Sequence, residues 1–237
     1  MAGTEIRTDP AIVRRMFNRV APRYDLLNRV LSFGCDAGWR RRLAAAATHP
    51  TGSGARVLDL ATGTGDVVLA LRRTGRCALA AGMDMAEAML GVAHAKLYGE
   101  AQCGWVLGDA LDAPFATGAF DAVTLAFGLR NFADLDAGLR EIRRVLKPGG
   151  RALVLEFSLP KNRLMRFGYL VYLRYAVPLI GGILSGHREA YAYLNRTIEA
   201  FPQGATLCAR MEQAGFKETR ALPLTFGVAT LYEGTNP

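Results

Sequence analysis

Between Val57 and Asp66 the chain reads VLDLATGTGD, an apolar run that meets an acid and then two glycines one residue apart. Glycines at 63 and 65 permit positive φ and close approach of a ligand to the backbone. The small apolar segment Val67 to Leu71 is predicted to form a helix whose first amides point into that turn. A dinucleotide fingerprint would place a third glycine near position 68, where this chain has Val68, and would seat a pyrophosphate on the amides. An adenosyl amino acid suits these residues better. Its carboxylate takes the helix amides, and its ammonium and sulfonium call for acids such as Asp59 and Asp66. The ligand this stretch predicts is S-adenosylmethionine, with Asp59, Gly63 and Gly65 beside it and Thr64 within the turn.

A lone GxG also fits an ordinary strand-to-helix turn, so the later acids matter. A second apolar run, Cys77 to Met83, ends in Asp84 at the spacing of a ribose-binding acid. A third, Trp105 to Gly108, ends in Asp109 and Ala110, and a fourth, Phe120 to Phe127, follows. Each Asp alone would read as a helix cap. Three strands ending in acids at one edge of a parallel sheet form the place where an open α/β fold binds its ligand.

The elements that must position these residues follow an α/β order. Two helices come first, strands and helices alternate to about residue 157, a second helical stretch follows, and a pair of strands closes the chain. The helix Leu135 to Leu146 is predicted to stop at Lys147-Pro148-Gly149-Gly150, a turn into the strand Arg151 to Phe157. Phe216 to Pro223 and Phe226 to Glu233 are predicted to form a hairpin, so that the sheet ends on an antiparallel strand. A length of 237 residues suits one such domain with a full core.

Four scattered cysteines lack a CxxC pair, and His49, His94 and His187 stand at no ligand spacing, so no metal is expected and the thiols read as core residues in a reducing cytosol. The polar, mixed-charge start does not read as a signal peptide. A net charge of +8 favours an anionic partner, and because aromatics do not interleave with a basic stripe, a lipid surface ranks ahead of nucleic acid.

Two long segments, YDLLNRVLSFGCDAGW (Tyr24 to Trp39) and RVLKPGGRALVLEFS (Arg144 to Ser158), carry a family resemblance, joined by FGLRN (Phe127 to Asn131) and YAYLNRTIEAFP (Tyr191 to Pro202). Through them the chain resembles the quinone-biosynthesis C-methyltransferases, which methylate demethylmenaquinol or a polyprenyl methoxybenzoquinol. The resemblance implies a class I S-adenosylmethionine-dependent methyltransferase fold, Rossmann-like, with a seven-stranded, mostly parallel sheet whose last strand is antiparallel. It implies one domain over 1–237, with an N-terminal helical cap over 1–50 and a helical lid insertion over 163–202. Its cofactor contacts fall on Thr64, Asp84, Asp109 and Ala110. The chain departs from the family pattern at Asp36 (usually His), Ala126 (usually a cofactor-binding Ser), His187 (commonly Asp), Phe226 (a small residue) and Tyr232 (usually His).

The implied activity is methyl transfer to a ring carbon of a demethylated polyprenyl quinol, demethylmenaquinol first, in menaquinone or ubiquinone biosynthesis. The alternatives are a related methyltransferase with another phenolic acceptor, a fold relative with a nicotinamide cofactor, and a non-catalytic quinone or lipid carrier. A ring carbon attacks a sulfonium methyl only once an adjacent hydroxyl is losing its proton. Arg130 is assigned to phenolate stabilisation with Asn131 beside it, and Tyr24, with Asp25 and Asn28, to covering the ring or accepting its proton. Tyr24 to Asn28 also reads as a helix cap with a core tyrosine, and no residue is named as the base.

Leu164 to Leu184 is apolar and about long enough to span a bilayer, but Arg166, Arg174, Pro178 and Gly181-Gly182 argue against a span. It reads either as a buried helix over the sheet edge or as an apolar lid that receives a polyprenyl tail at the membrane surface. Arg14, Arg15, Arg19, Arg23 and Arg40 to Arg42 would add about 1 kcal/mol of attraction each wherever they reach anionic lipid. The partners expected are a polyprenyl quinol, an anionic membrane surface and a second copy as a homodimer, without nucleic acid. The location expected is cytoplasmic, with peripheral attachment to the inner face of the cell membrane.

Overall fold

The structure, a computed structural model, describes residues 9–49, 54–185 and 188–237. Strands β1 (Ala55–Leu60), β2 (Cys77–Asp84), β3 (Cys103–Leu107), β4 (Phe120–Ala126), β5 (Leu146–Phe157), β6 (Lys217–Leu224) and β7 (Ala229–Thr235) form one sheet in the order β3-β2-β1-β4-β5-β7-β6. β1 to β5 pair in parallel, and β7 runs antiparallel to both of its neighbours.

The inner strands are nearly continuous apolar runs because helices cover both faces of the sheet. Leu58, Leu60, Val123, Leu125 and Val154 point to one core, closed by helices α6 (Leu135–Val145) and α10 (Ala205–Gln213) through Leu139, Ile142, Leu207 and Met211. Val57, Ala80, Ala122, Leu153 and Leu155 point to the other, closed by α3 (Cys35–Thr48) and α4 (Asp66–Arg73) through Trp39, Leu43, Val67 and Leu71. This period-2 division along each strand sets the register of the sheet.

The predicted closing hairpin forms and the last strand of the chain runs antiparallel as expected, with the hairpin's first strand at the edge of the sheet. β7 is buried along almost its whole length and lies between β5 and β6. β6 exposes Lys217, Glu218 and Pro223, residues suited to an edge because charges and a missing amide hydrogen discourage further pairing. The predicted turn at Lys147 to Gly150 lies within β5 instead. Gly149 donates to the Asn236 carbonyl at 2.7 Å, and the Asn236 amide donates back to Gly150 at 2.8 Å.

α5 (Glu87–Lys96) crosses from β2 to β3, and over the carboxyl ends of the strands stand α1 (Pro10–Val20) and α2 (Tyr24–Leu31), with a long helical segment made of α7 (Arg163–Val171), a five-residue π-helical stretch (Tyr172–Ala176) and α8 (Val177–Ser185). α9 (Arg188–Ala200) completes this layer. The π-helical stretch lets the segment run on into Pro178, whose ring nitrogen could not have bonded the preceding turn. Leu27, Leu173, Val177, Tyr191 and Ile198 pack into a small core of their own above Phe157. The opposite stripe (Leu164, Phe167, Val171, Tyr175, Leu179 and Ile183) is exposed, which overturns the reading of a buried helix over the sheet edge. Among the described residues, no helix is long and apolar enough to cross a membrane.

Gly181 is where α8 closes on α9, since a Cβ there would lie 2.4 Å from the ring of Tyr191. Gly181→Ala is therefore expected to destabilise the protein in urea unfolding, although alanine gains about 1 kcal/mol in helix propensity. A variant that is more stable than the parent would show that the ring does not press on this position.

Candidate active site

The chain leaves β1 through a tight turn in which Ala61, Gly63 and Gly65 all have positive φ. Gly65 must lack a side chain, because a Cβ there would lie 2.9 Å from the Trp105 ring. The turn is pinned from the next strand: Asp84 accepts from the Gly63 amide and from the Ala86 amide, both at 2.8 Å. Burial pushes the Asp84 carboxyl above its usual range, while these amide hydrogen bonds pull it down.

Gly63, Asp84, Asp109, Ala110, Ala126 and Asn131 line a first cavity of about 80 Å³, roofed by Pro10, Val13 and Phe17 of α1. Asp109 is exposed and accepts from the Leu111 amide at 2.9 Å. Three of the expected turn residues line no part of this cavity. Asp59 is 1% exposed, and its two oxygens accept from the hydroxyls of Thr62 (2.6 Å) and Thr124 (2.7 Å). Thr64 is buried and donates to Asp25 on α2. Gly65 lies against Trp105. Asp66, expected near a sulfonium, is instead neutralised by Lys96 at 2.7 Å, with Arg40 at 3.8 Å.

A second cavity of about 420 Å³ adjoins the first, and Phe17, Tyr24 and Phe127 line both. Its wall is largely apolar, with Leu27, Trp39, Phe157, Tyr169, Tyr172 and Leu173, and few charges enter it. Phe127 holds a left-handed backbone conformation (φ 59°), a costly one for a bulky residue. It is fixed there by its amide on the Leu155 carbonyl at 2.7 Å and by its ring stacked on Phe157, with centroids 4.3 Å apart.

Arg130 and Asn131 occupy a short 3-10 turn after β4. The Arg130 side chain is 6% exposed, and its Nη1 donates to the Phe127 carbonyl and, at 2.9 Å, to the fully buried Glu156. The guanidinium sits over the Phe157 ring, and its Nε has no partner. The fork expected to face a phenolate is thus partly committed to Glu156, and because the Nε is enclosed, what remains for a ligand is Nη2, which makes no hydrogen bond to the described residues. Asn131 accepts from the Tyr193 hydroxyl at 3.1 Å. Tyr24, at the start of α2, stands between the two cavities, its ring 3.9 Å from where a Gly63 Cβ would be.

A match to the ubiE/COQ5 methyltransferase family covers residues 4–236. The chain belongs to this family. A demethylmenaquinone methyltransferase of Thermus thermophilus is 48% identical over 223 residues, which is 94% of this chain and all of the relative. A ubiquinone/menaquinone biosynthesis C-methyltransferase UbiE of Geobacter sulfurreducens is 43% identical over 94% of this chain and 87% of its own. The fold is that of S-adenosylmethionine-dependent methyltransferases: one from Thermotoga maritima superposes with a TM-score of 0.63 at 16% identity, covering 94% of this chain and 99% of that one. The [4+2]-cyclase SpnF gives the same TM-score at 19% identity, covering all of this chain and 99% of its own. The sheet is therefore compatible with more than one chemistry, and the cavities have to supply the distinction.

The first cavity suits the family's methyl donor in chemistry. It offers the close-approach glycine turn at Gly63, the half-buried carboxylate of Asp84 and the exposed one of Asp109, all at the carboxyl ends of parallel strands. Its volume is short of the roughly 300 Å³ at which ligand clefts begin, and it is continued by the adjoining second cavity. Sequence reasoning missed Glu156, Tyr193 and Lys96. For Glu156 a signal was present, an acid inside the apolar run ALVLEF, which had to find a partner once buried.

Burial pushes Asp59 up to about 7, against the downward pull of its two threonine hydroxyls. Its folded value lies above the roughly 3.9 of an unfolded aspartate. The folded state therefore holds a proton that the unfolded chain has lost, and stability falls as pH rises between about 4 and 7. Asp59→Asn keeps one acceptor and gives the other threonine a donor. Chemical unfolding should show the variant gaining on the parent across that window, by about 2–4 kcal/mol above pH 7. A difference independent of pH would mean that Asp59 does not titrate there.

Proposed function

We propose that this chain transfers the methyl group of S-adenosylmethionine to a ring carbon of demethylmenaquinol, or of a closely similar demethylated polyprenyl quinol, in menaquinone or ubiquinone biosynthesis. The observation that carries this reading is the adjacency of the two cavities across Tyr24 and Phe127. A donor seated at the sheet edge and a flat apolar acceptor can meet there, and transfer demands that contact. The naphthoquinol is favoured because demethylmenaquinone methyltransferases of Thermus thermophilus and Deinococcus radiodurans are 48% and 46% identical to this chain.

When bound, S-adenosylmethionine supplies an electrophilic methyl. Gly63, Asp109 and Ala110 hold it, Asp84 takes the ribose hydroxyls with its remaining lone pairs, and Asp59, Thr64 and Gly65 keep the turn in shape from behind. The quinol ring lies in the second cavity. The unpaired Nη2 of Arg130 stabilises the oxygen on which negative charge develops, Asn131 is oriented by Tyr193, and Tyr24 covers the ring. The N-terminal helices act as a cap and the helices within 163–202 as a lid, together excluding water.

The exposed stripe of that lid, from Leu164 to Ile183, faces lipid in this reading, so that the tail enters the second cavity from the inner surface of the membrane. Floated with anionic vesicles, the protein is expected to bind at low salt and to lose much but not all of that binding as salt rises. Absence from the vesicle fraction at low salt would remove the lipid-facing role of the lid.

The activity itself is tested by incubation with methyl-labelled donor and a panel of reduced demethylated quinones, with the naphthoquinol expected to carry the label. Label on no quinol would overturn the proposal. In the same assay turnover should fall from parent to Arg130→Lys to Arg130→Ala, by about 100-fold or more at the last step, while donor affinity barely moves. Weakened donor affinity with turnover intact at saturating donor would instead place Arg130 in the cofactor site.

A further inference from the structure

The second cavity contains a charged pair that the proposed transfer does not use. Asp36 and Arg40, one helical turn apart on α3, line its wall at 4% and 6% exposure, deep among apolar side chains. Ser32 donates to Asp36 Oδ1 at 2.9 Å, Arg40 Nη1 donates to Oδ2, and Arg29 Nε stands 3.7 Å from Oδ1, beyond hydrogen-bond distance, so the carboxylate is held in one orientation. Burying an ion pair in an apolar wall is costly and adds little to stability by itself. Its position relative to the aromatic floor indicates a use. The Arg40 guanidinium lies 5.6 Å from the Phe127 ring centroid and that of Arg130 lies 5.5 Å from the Phe157 centroid, while the two rings stack on each other. The cavity therefore offers two polar stations beside one stacked aromatic pair.

The two stations differ in hydrogen-bonding character. Arg130 lines the cavity with its Nη2 making no hydrogen bond to the described residues, and an arginine can only donate. Asp36 presents a carboxylate, which accepts only, and each of its oxygens retains a lone pair after Ser32 and Arg40 are counted. A ligand that satisfies both carries one oxygen that accepts and another that donates. A quinol does so when the oxygen gaining charge meets Arg130 and the second hydroxyl meets Asp36. The oxidised quinone has two carbonyls and no O–H, and would set a lone pair against the Asp36 carboxylate.

We propose that Asp36 is a specificity residue that accepts the hydrogen of the quinol's second hydroxyl, so that the site admits the reduced ring and rejects the oxidised one. This rests on the acceptor reading given above. It follows from the asymmetry of buried donors and acceptors: a site built to pair with a hydroxyl discriminates strongly against an analogue that lacks it.

The test uses the full chain and a short-prenyl demethylated naphthoquinol kept reduced under anaerobic conditions, its oxidised quinone, and the two monomethyl ethers of the quinol. Binding is read from the fluorescence of Trp39, which lines the same cavity. The parent protein is expected to prefer the quinol over the quinone by about 10- to 100-fold, the range of a hydrogen bond to a charged group, and to lose that preference with one of the two ethers. In Asp36→Asn the carboxamide also donates, so it can serve the quinone carbonyl, and the quinol-to-quinone ratio should fall at least about tenfold, with a raised KM for the quinol.

An unchanged ratio in a folded Asp36→Asn protein that still methylates quinol would overturn this inference and leave the acceptor reading standing. The ether series needs no variant and decides the matter if Asp36→Asn does not fold, since equal affinity of both ethers and the free quinol would exclude an acceptor at Asp36. If the parent binds its methyl donor but neither binds nor methylates any quinol, both proposals fall.

Discussion

One ammonium group sets the relation between the two halves of the site. Lys96, at the end of α5, lies 2.6 Å from Asp25 on α2 and 2.7 Å from Asp66 at the start of α4. Through Asp25 it reaches the Thr64 hydroxyl in the glycine turn, and through Asp66 it reaches Arg40 and then Asp36 on the second cavity. The N-terminal helices that roof both cavities are thereby tied to the turn that shapes the first. Single exposed pairs contribute little, but Lys96 is only 21% exposed and serves two acids. Without it, among the described residues Asp25 would keep only the Thr64 hydroxyl and Asp66 only the more distant Arg40 at 3.8 Å, and the tie between α2 and α4 would be lost.

Around this junction the molecule accepts local costs in places that bear on the proposed reaction. Phe127 keeps its left-handed backbone, Glu156 is fully buried beside Arg130, and a cavity of about 420 Å³ stays open instead of collapsing onto its apolar lining. Each cost has a compensating constraint: the stack on Phe157, the paired charge, and the secondary core of α2, α8 and α9 that props the cavity walls apart. Two sheet cores, each with helices on its own face, supply the stability that makes such departures tolerable.

The strands were legible because both-face burial writes them as apolar runs, and the turn at Gly63 and Gly65 because few backbones other than glycine accept its conformation. The acids were harder to place. Asp84 and Asp109 stand on the cavity wall, whereas Asp59 and Asp66 are claimed by Thr124, Arg40 and Lys96, partners brought in from distant parts of the chain. A carboxylate that orders a turn and one that meets a ligand share the same local sequence, and only the fold reveals which partner arrives. The same holds for β7, whose place inside the sheet is decided by the polar character of β6 as much as by its own residues.

The structure also sorts the positions at which the chain departs from the family pattern. Tyr232 is fully buried, and its hydroxyl accepts from the Gly204 amide at 2.9 Å, so it belongs to the packing of β7 against the start of α10. Phe226 projects into solvent from a left-handed turn between β6 and β7, outside both cavities, and His187 lies outside the described residues. Ala126 and Asp36 alone among the described departures line a cavity, the first at the sheet edge and the second in the wall of the larger cavity. Ala126 removes a hydroxyl from a wall that retains Asp84 and Asp109, so its effect is subtractive. Asp36 arrives with Arg40 and Ser32 already arranged around it, and a buried carboxylate so fully supported adds a fixed acceptor to a cavity otherwise made of hydrocarbon and aromatic rings.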